Sequence, residues 1–116
     1  MSFSTANVGD AWLSADKEGQ QRTSSFGQDA VVYAQVQVRN APEDTRVRSV
    51  WYAVEAENVE PNFKFDEVTF TITQSGNATV TFNRSNPPFW PRGRYKIEIY
   101  LNDATEPART LEFQVQ

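Results

Sequence analysis

Carboxylates are the first residues in this chain that could do chemistry. Glu55, Glu57 and Glu60 follow one another closely, and Asp103 and Glu106 form a second acidic pair. Two carboxylates at a suitable separation can act as a glycosidase acid and nucleophile. Several oxygens converging on one point can hold calcium. The sequence carries neither reading further, because it has no Asp-x-Asp-x-Asp-Gly loop and nothing resembling a hydrolase motif. The acids are read as solvated loop residues. The 116 residues include no His and no Cys. That excludes Ser-His-Asp and Cys-His nucleophile systems, Cys/His zinc sites, c-type haem attachment and any disulfide. The expectation is a protein that is not an enzyme, with no metal and no cofactor.

Aromatic side chains are the other chemical resource. Trp12 and Trp90 fall near strand ends or in loops, and an exposed indole can stack on a sugar ring. The competing reading is that Trp12, Phe89 and Trp90 plug the open ends of a β-structure, since a Trp beside prolines often packs a corner. Lys and Arg total 11 against 15 Asp and Glu, a net charge of −4. Nucleic acid is not an expected partner, because phosphate binding needs a dense basic stripe. Arg46, Arg48, Arg92, Arg94 and Lys96 are interleaved with acids and read as a solvated mixed surface. Asn77 and Asn83 each open an Asn-x-Ser/Thr tripeptide, a pattern common by chance.

The elements that must position these residues alternate with period two. In 30–40, Val32, Ala34, Val36 and Val38 point one way, while Tyr33, Gln35, Gln37 and Arg39 point the other. One apolar and one polar face is the pattern of a half-buried antiparallel strand. In 45–56, Val47, Ser49, Trp51 and Ala53 share one face, and Arg46, Arg48, Val50, Tyr52 and Val54 share the other, so this strand is expected to be central. Residues 63–73 read as a strand or two short ones, with Val68, Phe70 and Ile72 on one side. Gln74 to Asn77 reads as a hairpin turn leading to Ala78, Val80 and Phe82. Residues 86–91 hold three prolines and must be a crossing loop. In 94–102, Tyr95, Ile97, Ile99 and Leu101 point inward, and Leu111, Phe113 and Val115 close the chain. Residues 1–29 are the least defined, with short pieces at 11–14 and 23–26 around a turn at 16–19. The expected fold class is all-β, an antiparallel sandwich of seven to nine strands in one domain spanning 1–116.

A buried Val36, a Trp51 on the next strand and a later Gly93-Arg94-Tyr95-Lys96-Ile97 come in an order that resembles the immunoglobulin-like sandwich. The resemblance covers 30–116. It implies that Trp51 packs between the sheets and that Tyr95 makes a tyrosine corner. It also implies that Val36 and Ile97 stand where paired cysteines would be, with apolar packing replacing the bond. Without a disulfide, the likeness points to fibronectin-III-like and bacterial immunoglobulin-like modules of surface and secreted proteins. Gly93 is read as serving a tight turn or a close backbone approach.

In an immunoglobulin-like order the strands carrying Trp51 and Ile99 are neighbours. Val50, Tyr52, Val54 and Tyr100 would then line one outer face. That strip is either simple cross-strand pairing or covered by 63–65, or else a docking face for another domain or subunit. The expected function is a non-catalytic interaction or spacer module of a larger bacterial extracytoplasmic or cell-surface protein. Its expected partner is a neighbouring domain or protein, including a second copy through an edge strand. The alternative is a carbohydrate-binding module using Trp12, Trp90 or Tyr52. No stretch approaches 18 apolar residues, so membrane insertion is not expected. Met1–Asp10 is polar and lacks the zones of a secretory signal.

Overall fold

A computed structural model describes residues 5–116. Residues 1–4, the start of both the polar N-terminal stretch and the 1–116 span, lie outside the described residues. The chain forms β1 (Asn7–Ser14), β2 (Ser25–Phe26), β3 (Val32–Ala41), β4 (Thr45–Ala56), β5 (Phe63–Ile72), β6 (Gly76–Arg84), β7 (Gly93–Leu101) and β8 (Arg109–Val115). No helix occurs among the described residues. Two sheets stack face to face, one ordered β1-β3-β6 and the other β2-β8-β7-β4-β5. All pairings are antiparallel except the short parallel contact of β2 with β8. This is an all-β sandwich of eight strands, as the alternation predicts.

Alternation builds the core directly. Val32, Ala34, Val36 and Val38 of β3 are fully buried, facing Val47, Trp51 and Ala53 of β4 and Ile97 and Ile99 of β7. Each valine or isoleucine among them contributes about 1.5–3 kcal/mol by leaving water. Trp51 donates its indole N–H to Ser49 Oγ (3.0 Å), so the one polar atom of that ring is satisfied inside the core.

Aromatic rings fill one end of the sandwich. Trp90 meets Phe65, Tyr95 and Phe113 edge to face at centroid distances of 5.9, 5.4 and 5.8 Å. Tyr95 stacks on Phe113 at 5.0 Å. The Tyr95 hydroxyl donates to the Pro91 carbonyl four residues upstream, which is tyrosine-corner geometry. Burial pushes its pKa up to about 12.

Gly93 opens β7 at φ +152°, against Ala56 of β4 and Val115 of β8. A Cβ there would lie 2.1 Å from the Glu55 carbonyl oxygen. The close-approach reading of this glycine is therefore the one the backbone requires.

Two expectations, the hairpin and the wet face of Gln35, need correction, and the β5 trio shares one face as expected but is buried unevenly. Residues 74–77 do not close a hairpin, because β5 and β6 belong to different sheets and the turn carries the chain across the sandwich. Of the β5 trio, only Ile72 is buried; Val68 and Phe70 stay 43% and 50% exposed. The strand lies at the sheet edge, and the narrower opposing sheet ends at β6, with little beneath it. Gln35 faces outward as its alternation requires, yet it is buried. The 15–22 segment folds over it: its Nε2 donates to Ser14 Oγ and the Lys17 carbonyl, and its Oε1 accepts from Thr81 Oγ1.

Candidate functional site

The outer face of the five-stranded sheet carries a groove of about 540 Å³. Its floor is set by register. Along β4, Arg48 lies between Thr69 of β5 and Tyr100 of β7, Val50 between Glu67 and Glu98, and Tyr52 between Lys64 and Lys96. Side chains directly opposite on one face of a sheet approach within about 5 Å. The register therefore makes a grid with Val50 at its centre. One wall is the β5 edge, and the other is the 102–105 loop after β7.

Charges and rings in the grid are interlocked. The Arg48 guanidinium lies 4.5 Å from the Tyr100 ring centroid, and Lys96 Nζ lies 5.0 Å from that of Tyr52. Tyr100 donates to Glu98 Oε1 (3.1 Å). Lys64 donates to Glu67 Oε1 (2.6 Å), and Arg46 pairs with Asp103 at 2.8 Å. Burial raises the pKa of Tyr52, with the Glu98 charge adding to it. Burial likewise raises that of Tyr100, helped by its hydrogen bond to Glu98. The Lys64 hydrogen bond lowers that of Glu67. At neutral pH the groove therefore presents protonated phenols and an ionised Glu67 carboxylate. Such a surface can stack and form charge-assisted hydrogen bonds.

Of the strip Val50, Tyr52, Val54 and Tyr100, three members meet in this groove. Val50 is only 3% exposed, so it forms a floor and not a sticky surface. Val54 is elsewhere. The β4–β7 register shifts between Ala53 and Glu55, and Val54 turns toward a second depression with Arg94, Tyr95 and Gln114. The expected contiguous apolar strip is thus corrected to a polar-aromatic groove without Val54.

The sugar-stacking residues fare differently. Trp90 is 1% exposed, its indole N–H donates to the Ala30 carbonyl (2.9 Å), and other rings cover it. It plugs the sandwich end and offers no face to a sugar. Trp12 is half-buried on the outer face of the three-stranded sheet. Its N–H donates to the Gly19 carbonyl (2.9 Å), and Arg22 covers the ring at 4.1 Å. The core set is placed as follows: Val36 and Ile97 are fully buried, and Trp51 and Tyr95 are 1% and 3% exposed. Asn77 and Asn83 are both exposed, with Asn77 Oδ1 accepting from the Asn40 amide.

Arg46, Arg48, Lys64, Glu67, Lys96 and Glu98 were not expected to form a site. Alternation did hold one signal, since it puts Arg46 and Arg48 on the same face as Val50 and Tyr52. The loop wall at 102–105 left none, because the course of a loop is set by packing. The acidic residues of the sequence survey disperse: Glu55 pairs with Arg94, and Asp103 with Arg46.

No protein-family model matches the chain, and no curated protein matches it significantly. Solved structures do. An immunoglobulin-like protein from Pseudomonas aeruginosa aligns over 96% of both chains, at TM-score 0.59 and 11% identity. The alkylpurine DNA glycosylase AlkC of Pseudomonas fluorescens aligns with 97% of this chain at TM-score 0.62 and 10% identity. A β-glucosidase from Listeria innocua aligns with 99% at TM-score 0.63 and 12% identity. This chain spans only 31% of the glycosylase and 16% of the glucosidase. At such identities the likeness establishes an immunoglobulin-like fold alone.

Proposed function

We propose that this chain is a non-catalytic interaction module that docks a protein partner or neighbouring domain through the Tyr52–Tyr100 groove. The observation that carries this reading is the groove itself. Two tyrosines and several charged side chains converge on a concave sheet face. Tyrosine and arginine are the residue types enriched at docking surfaces. Similar folds occurring as parts of longer enzymes favour a module within a larger assembly. We further propose a bacterial, extracytoplasmic setting, which rests on the likeness to cysteine-free surface modules.

The carbohydrate reading is weaker at these residues. A sugar needs an open ring face, and Lys96 and Arg48 each sit against one of the two tyrosine rings. A photo-crosslinking phenylalanine at position 52, in the host protein, tests the docking. A discrete protein adduct is expected from position 52 and none from position 79, which is exposed on the other sheet. Equal labelling at both positions, or none at 52, refutes it. Titration with soluble β-glucans and chito-oligosaccharides is expected to leave the Tyr52 and Tyr100 ring resonances unmoved.

A further inference from the structure

The free edge of β5 is unguarded. Among the described residues its only sheet neighbour is β4. The Asn102 amide donates to the Arg46 carbonyl (2.8 Å), so Arg46, Arg48 and Val50 direct their main-chain groups toward β7. Their neighbours Val47, Ser49 and Trp51 therefore face β5, opposite Phe70, Val68 and Asp66. By the same alternation, the main-chain groups of Glu67, Thr69 and Thr71 point away from the sheet. Glu67 N–H is capped by Asp66 Oδ1 (2.9 Å). Among the described residues Thr69 and Thr71 have no such cap.

Side chains along this stretch match the bare backbone. Val68-Thr69-Phe70-Thr71-Ile72-Thr73 contains no charge, glycine or proline. Edge strands are normally shielded by charged side chains or proline. The strand's charges sit in its first half and are paired: Lys64 with Glu67, and Asp66 with Arg84. Val68 and Phe70 leave their apolar side chains open.

We propose that β5 is a homodimer seam, pairing antiparallel with β5 of a second copy about a two-fold axis at Phe70. In that register Thr69 faces Thr71 of the second copy, and Thr71 faces its Thr69. The four backbone hydrogen bonds then use the uncapped groups and leave the Asp66 cap in place. On one face Phe70 meets Phe70, and Val68 meets Ile72. On the other, threonine meets threonine. Every cross-strand pair in the seam is neutral, so a second copy brings no like charges together. The joined sheets would have ten strands, with a groove on each side of the seam. This inference does not depend on the docking role of the groove.

One strand pair buries less than the roughly 1,000 Å² of a stable interface, so association is weak, with Kd on the order of 100 μM. Sedimentation equilibrium from about 10 μM to 1 mM is expected to show a monomer becoming a dimer. Phe70→Lys sets two ammonium groups opposite each other and abolishes the dimer. Phe89→Lys, at a loop position of similar exposure, leaves it intact, as does Tyr52→Ser with Tyr100→Ser. The chain has no cysteine, so Phe70→Cys can oxidise only between copies and is expected to form a disulfide dimer far faster than Phe89→Cys. Circular dichroism checks that each variant folds. A wild-type monomer throughout this range overturns the proposal. So does unchanged association in Phe70→Lys, or protection of the Thr69 and Thr71 amides only after an unrelated extended peptide is added.

Discussion

Adding one methyl group at Gly93 is expected to cost this fold about 3 kcal/mol, through a collision and a strained dihedral. The new Cβ would lie 2.1 Å from the Glu55 carbonyl oxygen and 2.6 Å from Ala56 Cα. Both obstacles are backbone, so no side chain can swing aside. The φ of +152° disfavours an L-residue by about 1–3 kcal/mol. Parting β4 from β7 to relieve the collision weakens ladder bonds near the Glu57 amide and Arg92 carbonyl, at about 0.5–1.5 kcal/mol each. Two other glycines separate these effects. Gly76 has φ +118° but nothing within 4 Å of its would-be Cβ, so Gly76→Ala bears the dihedral strain alone, about 1–2 kcal/mol. Gly27 has neither problem, its nearest contact being 3.4 Å, so Gly27→Ala stays within about 0.5 kcal/mol. Urea unfolding followed by Trp51 and Trp90 fluorescence reads all three. With an m-value of about 1.5 kcal/mol/M, Gly93→Ala lowers the midpoint by about 2 M. The melting temperature falls by about 12 °C, taking about 2.1 cal/mol/K of unfolding entropy per residue. A Gly93→Ala loss no larger than that of Gly76→Ala refutes the close-approach argument.

Tyr95→Phe leaves the Pro91 carbonyl without its donor and is expected to cost about 1–3 kcal/mol in the same assay. Tyr95 also sets an alkaline limit. Its folded pKa of about 12 exceeds the unfolded value near 10, so its stabilisation is complete below about pH 10 and is lost as pH rises toward 12. Absorbance titration at the tyrosinate band is expected to show a phenol titrating near pH 12 that Tyr95→Phe removes. Gln35→Leu removes the Nε2 donor to Ser14 Oγ and to the Lys17 carbonyl of the 15–22 segment and leaves the Thr81 hydroxyl without its acceptor, for about 2–3 kcal/mol. Hydrogen exchange is expected to quicken in that segment and not in β7.

Much of the architecture could be read from period-two alternation. Val32 to Val38, Val47 to Ala53 and Tyr95 to Ile99 each announce one buried face, and burying one face of many short strands favours two stacked sheets. Those faces held because alternation is a local property of an extended chain. Assignment of strands to sheets was not local. The 74–77 turn looks like a hairpin in sequence, but its two strands pair with β4 and β3 instead. Trp90 illustrates the same limit, since its neighbouring prolines mark a loop without saying whether the ring faces solvent or fills a gap left by Phe65 and Phe113.

The groove divides along this line. Alternation by itself put Val50 and Tyr52 on one face of 45–56, and Tyr100 opposite Ile99 on 94–102. Only the folded chain decided that β4 pairs with β7 in the register that sets Arg48 beside Tyr100. The bulge that removes Val54 and the loop that forms a wall were also settled there. The bare edge of β5 has the same origin. The uncharged run 68–73 is written in the chain, but its exposure follows from a five-stranded sheet overhanging a three-stranded one. Side-chain direction repeats every two residues, whereas sheet membership depends on contacts between residues distant in the chain, which only the closing of the whole core selects.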